Sequence, residues 1–218
     1  MPPRFIELSH PIEAGMVTYP GLPVPEVKII VDYDTSNERY KGKSEFLIAS
    51  LHACGNTGTY VDSPIHRHRG GTDLAGLPLE RLAHVPIGVF DATSFGRAIG
   101  PELFKGADLR GKAVIVRTDF SKHWRTEAYG KNNPFLTADA CEVLAGAGAA
   151  LVGIDSLNID DIGDLARPAH TILLGAGIPI CEHMTNLSEL PPSGGHLHAV
   201  PIPWKGGATF PVRAYVQL

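Results

Sequence analysis

One stretch of the chain decides how the rest is interpreted: Asn56-Thr57-Gly58-Thr59-Tyr60-Val61-Asp62-Ser63-Pro64-Ile65-His66. It carries a carboxylate, an imidazole, an amide, a phenol and several hydroxyls around one glycine and one proline. A surface loop has no physical need for so many polar groups, whereas a site must hold several of them in fixed positions. Because Pro64 cannot donate a ladder hydrogen bond, we expect an extended loop or strand end from which Asp62 and His66 converge.

The composition is that of a folded protein, with a single domain expected over residues 1–218. Hydrophobic residues make up 44% of the chain and charged residues 19%, which suits a packed core and argues against disorder. The formal net charge is -4 and no cluster of Lys or Arg is present, so nucleic-acid binding is not expected.

The sequence indicates a cytoplasmic protein. Its apolar stretches are short and interrupted by Gly and Pro, so no membrane-spanning helix is expected, and residues 1–7 lack the apolar core of a signal peptide. Cys54, Cys141 and Cys181 are odd in number and widely spaced, which is typical of reduced buried thiols and not of a disulfide framework.

Hydrophobic patterning predicts an α/β fold in which strands outnumber helices. Thr137 is a suitable N-cap and Gly148 a suitable terminator for a helix over 138–147. A second helix is predicted over 168–174, a short helix over 77–82, and a hairpin tip or mobile flap over 37–44. Strands are predicted over 5–10, 27–33, 45–53, 85–91, 112–117, 150–154, 178–182, 200–203 and 212–216.

A second polar pair consists of His170 and Glu182. His170 falls in the first turn of the predicted helix and Glu182 at the far end of the next strand, so a helix-then-strand hairpin can bring them together. Together with Asp62 they form a ligand set suited to Zn²⁺ or Mn²⁺. The residue pattern alone also allows purely structural roles, because Asp and His at such positions are more often turn or packing residues than metal ligands.

Several further segments accompany the opening stretch. With it, they resemble the cyclase family, which includes bacterial kynurenine formamidase and isatin hydrolase, over nearly the whole chain. The segments are Leu8-Ser9-His10-Pro11-Ile12, Tyr19-Pro20-Gly21, Leu77-Pro78-Leu79-Glu80, Leu136-Thr137, Val152-Gly153-Ile154-Asp155-Ser156, Pro168-Ala169-His170 and Ile180-Cys181-Glu182-His183-Met184-Thr185-Asn186-Leu187.

The resemblance implies a ligand set. The family pattern is His-x-Gly-Thr-His-x-Asp-x-Pro-x-His, in which the leading His residues and the Asp hold one metal. The Asp also reaches a second metal, completed by a downstream His and Glu, and the last His serves in acid–base chemistry. Four positions match this pattern, and the two leading His positions are Asn56 and Tyr60 instead. The matching residues are Asp62, His66, His170 and Glu182.

This departure leaves two alternatives of similar weight and makes a binuclear site unexpected. In the first, Asp62, His170 and Glu182 hold one Zn or Mn, the ligand count of a catalytic zinc with an open position. In the second no metal is bound, and Asn56 and Tyr60 donate hydrogen bonds to an oxyanion in its place.

Other side chains are candidates for the substrate pocket. Arg67 is predicted to bind a substrate carboxylate by a bidentate contact, and Tyr19 and Trp124, with Phe135, to supply apolar pocket walls. A solvated loop or simple packing is the alternative for each, and is favoured for His68. His52 is expected to lie too far away and His183 to face the opposite side of its strand. His196 and His198, in an expected Gly-rich loop, receive no role.

The resemblance implies a hydrolase that opens an amide or lactone-like bond of a small cyclic or aromatic substrate. His66 would accept a proton from water and return it to the leaving group. The alternatives are a metal-free isomerase, lyase or cyclase, and a catalytically silent binding protein. The implied fold is a cyclase-like mixed β-sheet or barrel core with flanking short helices, of the swivelling β/β/α type. The implied assembly is a homodimer or homotetramer in which residues near the N-terminal loop can complete a neighbour's pocket.

Overall fold

A computed structural model describes residues 3–218 of the chain; Met1 and Pro2, at the start of the segment expected to lack a signal peptide, lie outside the described residues. The helices are α1 (Tyr33–Arg39), α2 (Ala138–Ala147) and α3 (Pro168–Gly175). The strands are β1 (Phe5–Glu7), β2 (Glu26–Val31), β3 (Ile48–His52), β4 (Tyr60–Asp62), β5 (Val85–Asp91), β6 (Ala98–Ile99), β7 (Ala113–Arg117), β8 (Phe135–Leu136), β9 (Leu151–Ile154), β10 (Ile180–Glu182), β11 (Ser193–His198), β12 (Thr209–Pro211) and β13 (Tyr215–Gln217).

A mixed nine-stranded sheet forms the centre of the fold, in the order β1-β13-β11-β5-β7-β9-β10-β4-β12, and curls into a half-barrel. Strands β5, β7, β9 and β10 run parallel, whereas β4 lies antiparallel between β10 and β12. This pairing places the ends of β4 and β10 side by side, with Glu182 opposite Tyr60 and Ile180 opposite Asp62. The predicted mixed α/β architecture is confirmed.

Both faces of the parallel strands are covered, which explains their continuous apolar sequence. In β7, Ala113 and Ile115 belong to one hydrophobic core, while Val114 and Val116 belong to a second core beneath α2 and α3. Successive side chains of a strand point to opposite faces, so one strand supplies both cores.

Helix α2 has the predicted bounds. The Thr137 side chain accepts a hydrogen bond from the Ala140 backbone N–H, and Gly148 ends the helix at a φ of 77°, a conformation that favours glycine. Helix α3 extends one residue beyond the predicted end, and a shared buried surface packs it against α2.

Several local predictions are wrong. Ser193–His198, expected as a Gly-rich loop, is strand β11 between β5 and β13, while residues 200–203 form no strand. The expected flap over 37–44 instead begins inside helix α1, which includes residues 37–39, because the Asp32 side chain caps that helix by accepting from the Thr35 N–H. Pro64–His66 is a 3₁₀ turn and not an extended segment, and the predicted helix over 77–82 is reduced to the 3₁₀ turn Leu79–Arg81.

Strands β2 and β3 form a hairpin that pairs with no other described strand and is called here the arm (residues 26–52). Every residue of the two strands except Val31 is exposed. The arm nevertheless carries large apolar side chains, namely Val27, Ile29, Ile30, Ile48 and Leu51.

The cysteines of the structure are free thiols, with Cys141 and Cys181 buried and Cys54 half-buried. Among the described residues, none of the helices has the length and apolar character needed to cross a membrane.

Candidate active site

Asp62 forms the floor of the candidate site. It is the last residue of β4, is fully buried, and lies between β10 and β12. Neither of its carboxylate oxygens has a hydrogen-bond partner among the described residues. Burial, followed by the nearby Glu182 carboxylate, raises the pKa of Asp62 well above its usual range. A buried carboxylate without a donor is costly, so this position is built for a positively charged partner.

His170 points its Nε2 atom towards the Asp62 carboxylate, 3.9 Å from Oδ2. The orientation is fixed from the other side of the ring, because Nδ1 lies 2.6 Å from Oδ2 of the buried Asp160. Asp160 also accepts from the backbone N–H groups of Ala169 and His170, in the first turn of α3. Burial alone would lower the pKa of His170, but the hydrogen bond with Asp160 and the carboxylates of Glu182 and Asp62 raise it to about 9.

Glu182 lies at the end of β10, as predicted, with Oε1 3.8 Å from Nε2 of His170. Both of its oxygens accept hydrogen bonds: Oε1 from the Ile159 backbone N–H at 2.6 Å, and Oε2 from the Tyr60 hydroxyl. Burial raises the pKa of Glu182, against the opposing effects of His170 and Tyr60. The Tyr60 phenol therefore occupies the position where the resemblance implies a metal-binding His, and its hydroxyl donates a hydrogen bond to Glu182.

Asn56 extends this hydrogen-bonded chain. Its Oδ1 accepts from the Thr209 hydroxyl at 3.1 Å, and its side chain lies near enough to the Tyr60 hydroxyl to oppose the rise in the pKa of that phenol. Burial, then the charges of Glu182 and Asp62, raise the pKa of Tyr60 well above its usual range, so the phenol keeps its proton. Two hydrogen-bonded pairs, Thr209 with Asn56 and Tyr60 with Glu182, therefore occupy the two positions where the family pattern has His, and the four side chains are called here the Asn–Tyr relay.

His66 is the more exposed imidazole of the site, with about a third of its side chain accessible (33%). Its Nε2 lies 3.8 Å from Asp62 Oδ1, and its ring centroid lies 5.6 Å from that of His170. Burial, followed by the charges of His170 and Arg67, lowers the pKa of His66 to about 4. The ring is therefore neutral at physiological pH and can accept a proton.

These groups open into a cleft of about 370 Å³. Four predicted site residues line it beside the two imidazoles: Asn56, Tyr60, Tyr19 and Arg67. Arg67 donates from Nε to Thr171 Oγ1 at 2.9 Å and from Nη2 to the Ala166 carbonyl at 2.6 Å. The remaining wall consists of Leu22, Asn158 and Arg167.

Trp124 is not among the residues that line this cleft. Its ring stacks on His10 at a centroid distance of 4.0 Å and meets Tyr129 and His183 edge-on, so the indole packs between loops. Phe135 is likewise outside the cleft and lies under the Arg97 guanidinium.

The remaining histidines have other surroundings. His183 Nδ1 contacts the Tyr129 hydroxyl at 3.0 Å, and His68 Nε2 contacts the Thr171 carbonyl at 3.0 Å. His52 ends strand β3 of the exposed arm, and the rings of His196 and His198 lie beside His84.

The sequence analysis missed Asp160, Asn158 and Arg167. Asp160 is followed directly by Asp161, and nothing in the pattern distinguishes the two carboxylates. Its role depends on the loop that places it over the first turn of α3. Arg167 precedes the recognised Pro168-Ala169-His170 segment directly, and that proximity was the available signal.

The donor set fits a divalent cation. Asp62, Glu182 and Asp160 are buried carboxylates, and His170 is the basic side chain buried among them. One histidine cannot neutralise three carboxylates, which leaves excess negative charge in a low-dielectric site. One ligand atom each from Asp62, His66 and His170 lies within 4.8 Å of the others, so an ion held by Asp62 and His170 would lie beside His66. Glu182 reaches the same place, with Oε1 3.8 Å from Nε2 of His170. Asp160 holds His170 as a carboxylate typically holds a metal-binding imidazole.

Comparison with known proteins agrees with this geometry. Residues 6–161 match the model of the family Cyclase, described as "Putative cyclase". The chain belongs to the cyclase family. Kynurenine formamidase of Salinibacter ruber is 29% identical to this cyclase-family chain over 213 residues, covering 97% of the chain and 96% of the relative. Isatin hydrolase of Roseibium aggregatum is 27% identical, covering 88% and 80%.

A solved structure, described as a potential metal-dependent hydrolase with cyclase activity, matches this cyclase-family chain with a TM-score of 0.81 and 25% identity. The match covers 99% of this chain and 98% of that one. The predicted family membership, mixed α/β fold and hydrolase class are therefore confirmed.

Proposed function

We propose that this protein hydrolyses an amide or lactone-like bond of a small cyclic or aromatic substrate, with one Zn²⁺ or Mn²⁺ per chain. The observation that carries the proposal is Asp62, a fully buried carboxylate whose oxygens have no hydrogen-bond partner within residues 3–218 and lie between the Nε2 atoms of His66 and His170. The free thiols fit the reducing interior of the cytoplasm.

Asp62, His170 and Glu182 are the residues that would hold the cation. A cation bound there supplies Lewis acidity, which lowers the pKa of water and polarises a carbonyl. Asp160 keeps Nδ1 of His170 occupied and so directs Nε2 into the site. The Tyr60 hydroxyl and the Ile159 N–H hold the Glu182 carboxylate in place.

His66 is the proposed acid–base residue. Its ring is neutral and reaches the cleft, so it can take a proton from water as the new C–O bond forms. It returns that proton to the amine or alkoxide that leaves when the C–N or C–O bond breaks. The Asn56 amide, anchored through its oxygen on Thr209, is positioned beside the Tyr60 hydroxyl at the same wall.

The test of the proposal is hydrolysis of two probes, the aromatic formamide formanilide and the cyclic amide isatin, by protein purified without chelator. We expect His66→Gln to lower kcat by about 10²–10⁴-fold with its metal content unchanged, because the substitution removes proton transfer and leaves the proposed ligands. His52→Gln, in the exposed arm, is the matched control. Full activity of His66→Gln, or turnover of neither probe by the metal-loaded wild type, would contradict the proposal.

We further propose that the protein is a homodimer or homotetramer assembled through the arm. A two-stranded hairpin is marginally stable alone, and exposed apolar patches mark association surfaces. Val27 and Leu51 face each other across the two strands and are 51% and 55% exposed. Burying that face against a second copy would stabilise the hairpin and remove apolar surface from water.

Replacing this pair with charges should dissociate the assembly. In Val27→Lys/Leu51→Glu the opposite charges face each other, so the hairpin itself is preserved while this apolar pair is lost. We expect light scattering after size exclusion to give at least twice 23.3 kDa for the wild type and 23.3 kDa for the variant. Leu79→Glu, at an exposed position outside the arm, should leave the mass unchanged. A wild type at 23.3 kDa would refute the assembly.

A further inference from the structure

Arg167 is a half-buried cation on the wall of the cleft and has no role in the steps described above. Its Nη1 donates to Asn158 Oδ1 at 3.1 Å, and its Nη2 donates to the Tyr19 hydroxyl at 3.5 Å and the Ile162 carbonyl at 3.4 Å. All three acceptors are neutral oxygens. These contacts use three of the five guanidinium N–H groups, so two remain for another acceptor.

Among residues 3–218, no carboxylate forms an ion pair with the Arg167 guanidinium. The pKa of Asp161 is lowered by a hydrogen bond from the Gly163 backbone N–H, then by Arg97, and also by the charge of Arg167. Asp161 is itself bound to Arg97, with Oδ1 3.0 Å from Nη2. A guanidinium that faces a ligand cleft and binds only neutral oxygens is a typical recognition group for an anion.

The backbone fixes the position of this side chain. Arg167 has a φ of 48°, in the left-handed region that non-glycine residues rarely adopt, directly before Pro168 at the start of α3. Such a conformation is costly and persists only where its surroundings enforce it. The same turn places His170 at the floor and Arg167 at the wall of one cleft.

Arg67 adds a second cation to the same wall. Its two bonds go to Thr171 and to the Ala166 carbonyl, which are also neutral and belong to the start of α3 and the loop before it. Three of its N–H groups therefore remain available. The cleft therefore has two guanidinium groups on its wall, and the buried Asp62 carboxylate lies behind the two imidazoles that line it, His66 and His170.

We infer that Arg167, together with Arg67, binds a carboxylate carried by the substrate beside its scissile amide. The inference rests on the proposed function and narrows it to small aromatic amides that bear a carboxylate. The anion would contact the cationic wall while the amide carbonyl faces the floor. A neutral amide of the same size would leave both guanidinium groups without a charged partner.

A purely structural role for Arg167 makes the opposite prediction. If its three bonds only fasten the loop before α3, its replacement should affect anionic and neutral substrates equally. The two roles are therefore distinguished by the ratio of kcat/KM for two substrates that differ only in the carboxylate. N-formylanthranilate and formanilide are such a pair, with the carboxylate ortho to the formamide in the first and hydrogen in the second.

We expect the wild type to prefer N-formylanthranilate over formanilide by at least about tenfold in kcat/KM, mainly through KM. Arg167→Gln should reduce that preference about 10- to 100-fold, as expected for loss of a charge-assisted contact, and Arg167→Lys should restore part of it. Arg213→Gln removes the same charge at an exposed position paired with Glu7, and should leave the preference unchanged.

A second measurement needs no turnover. Anthranilate, the expected product, is fluorescent, and its Kd should rise about tenfold or more in Arg167→Gln. If Arg167→Gln does not fold, as judged by circular dichroism, Arg67→Gln and Arg167→Lys supply the same test. Arg167-dependent anthranilate binding without hydrolysis of either formamide would refute the proposed function and retain this inference. Equal use of the two substrates by the wild type, or an unchanged Kd in the variants, would overturn it.

Discussion

Asp62→Asn should abolish cation binding and reduce hydrolysis by about a thousandfold or more, since Lewis-acid activation is worth several kcal/mol. The substitution keeps the shape of the side chain but removes the charge that His66 and His170 approach at 3.8 and 3.9 Å. Elemental mass spectrometry should find about one Zn or Mn per wild-type chain and almost none in the variant.

Although Asp62→Asn should lose activity, the metal-free form of this variant should be more stable than the metal-free wild type. With chelator present, the wild type must bury an ionised Asp62 whose oxygens have no donor among the described residues, or take up a proton because burial raises the pKa of Asp62; an uncharged amide avoids this cost of roughly 1–3 kcal/mol. The Tm of chelated Asp62→Asn should therefore exceed that of the chelated wild type by about 2–10 °C. This readout does not depend on activity, so it separates a lost ligand from a damaged fold.

Asp108→Asn is the matched control, because Asp108 is an exposed carboxylate paired with Lys112. It should keep the metal content, activity and Tm of the wild type. Retention of the metal by Asp62→Asn, or a lower Tm of its chelated form, would contradict the assignment of Asp62 as the central ligand.

Features set by local chemistry were predictable from the sequence. Helix α2 has the predicted bounds because its start and end depend on one capping side chain and one glycine within a few residues. The approach of His170 to Glu182 was predictable for a similar reason, since a short turn joins α3 to β10 and leaves little freedom.

Features that depend on contacts between residues far apart in the sequence were not predictable. Strand β11 is rich in glycine and polar residues, and it is a strand because β5 and β13 lie on either side of it. Trp124 was expected at the cleft, but aromatic rings beside loops serve packing equally well, and His10 provides the partner. Asp160 and Arg167 act through the shape of one loop, which the pattern of residues does not encode.

The Asn–Tyr relay leads to the last prediction: Asn56→His/Tyr60→His should raise the metal content from about one to about two per chain. In the present chain the Tyr60 hydroxyl donates to Glu182 and the Asn56 amide contacts that hydroxyl, so neither offers a good ligand atom. Two imidazoles in their place would join Asp62 to form the His, His and Asp set of the family pattern. Imidazole binds Zn²⁺ through a neutral nitrogen, whereas a phenol must first lose its proton.

Tyr60→Phe is the control that separates the two effects of this double substitution. It removes the hydroxyl from Glu182 without adding a ligand, so the metal content should stay at about one per chain. Isothermal titration of the chelator-treated proteins with Zn²⁺ should then show one binding event for the wild type and Tyr60→Phe, and two for the double variant. A folded double variant that still binds one ion would show that other constraints of the site, and not the Asn–Tyr relay, exclude the second cation.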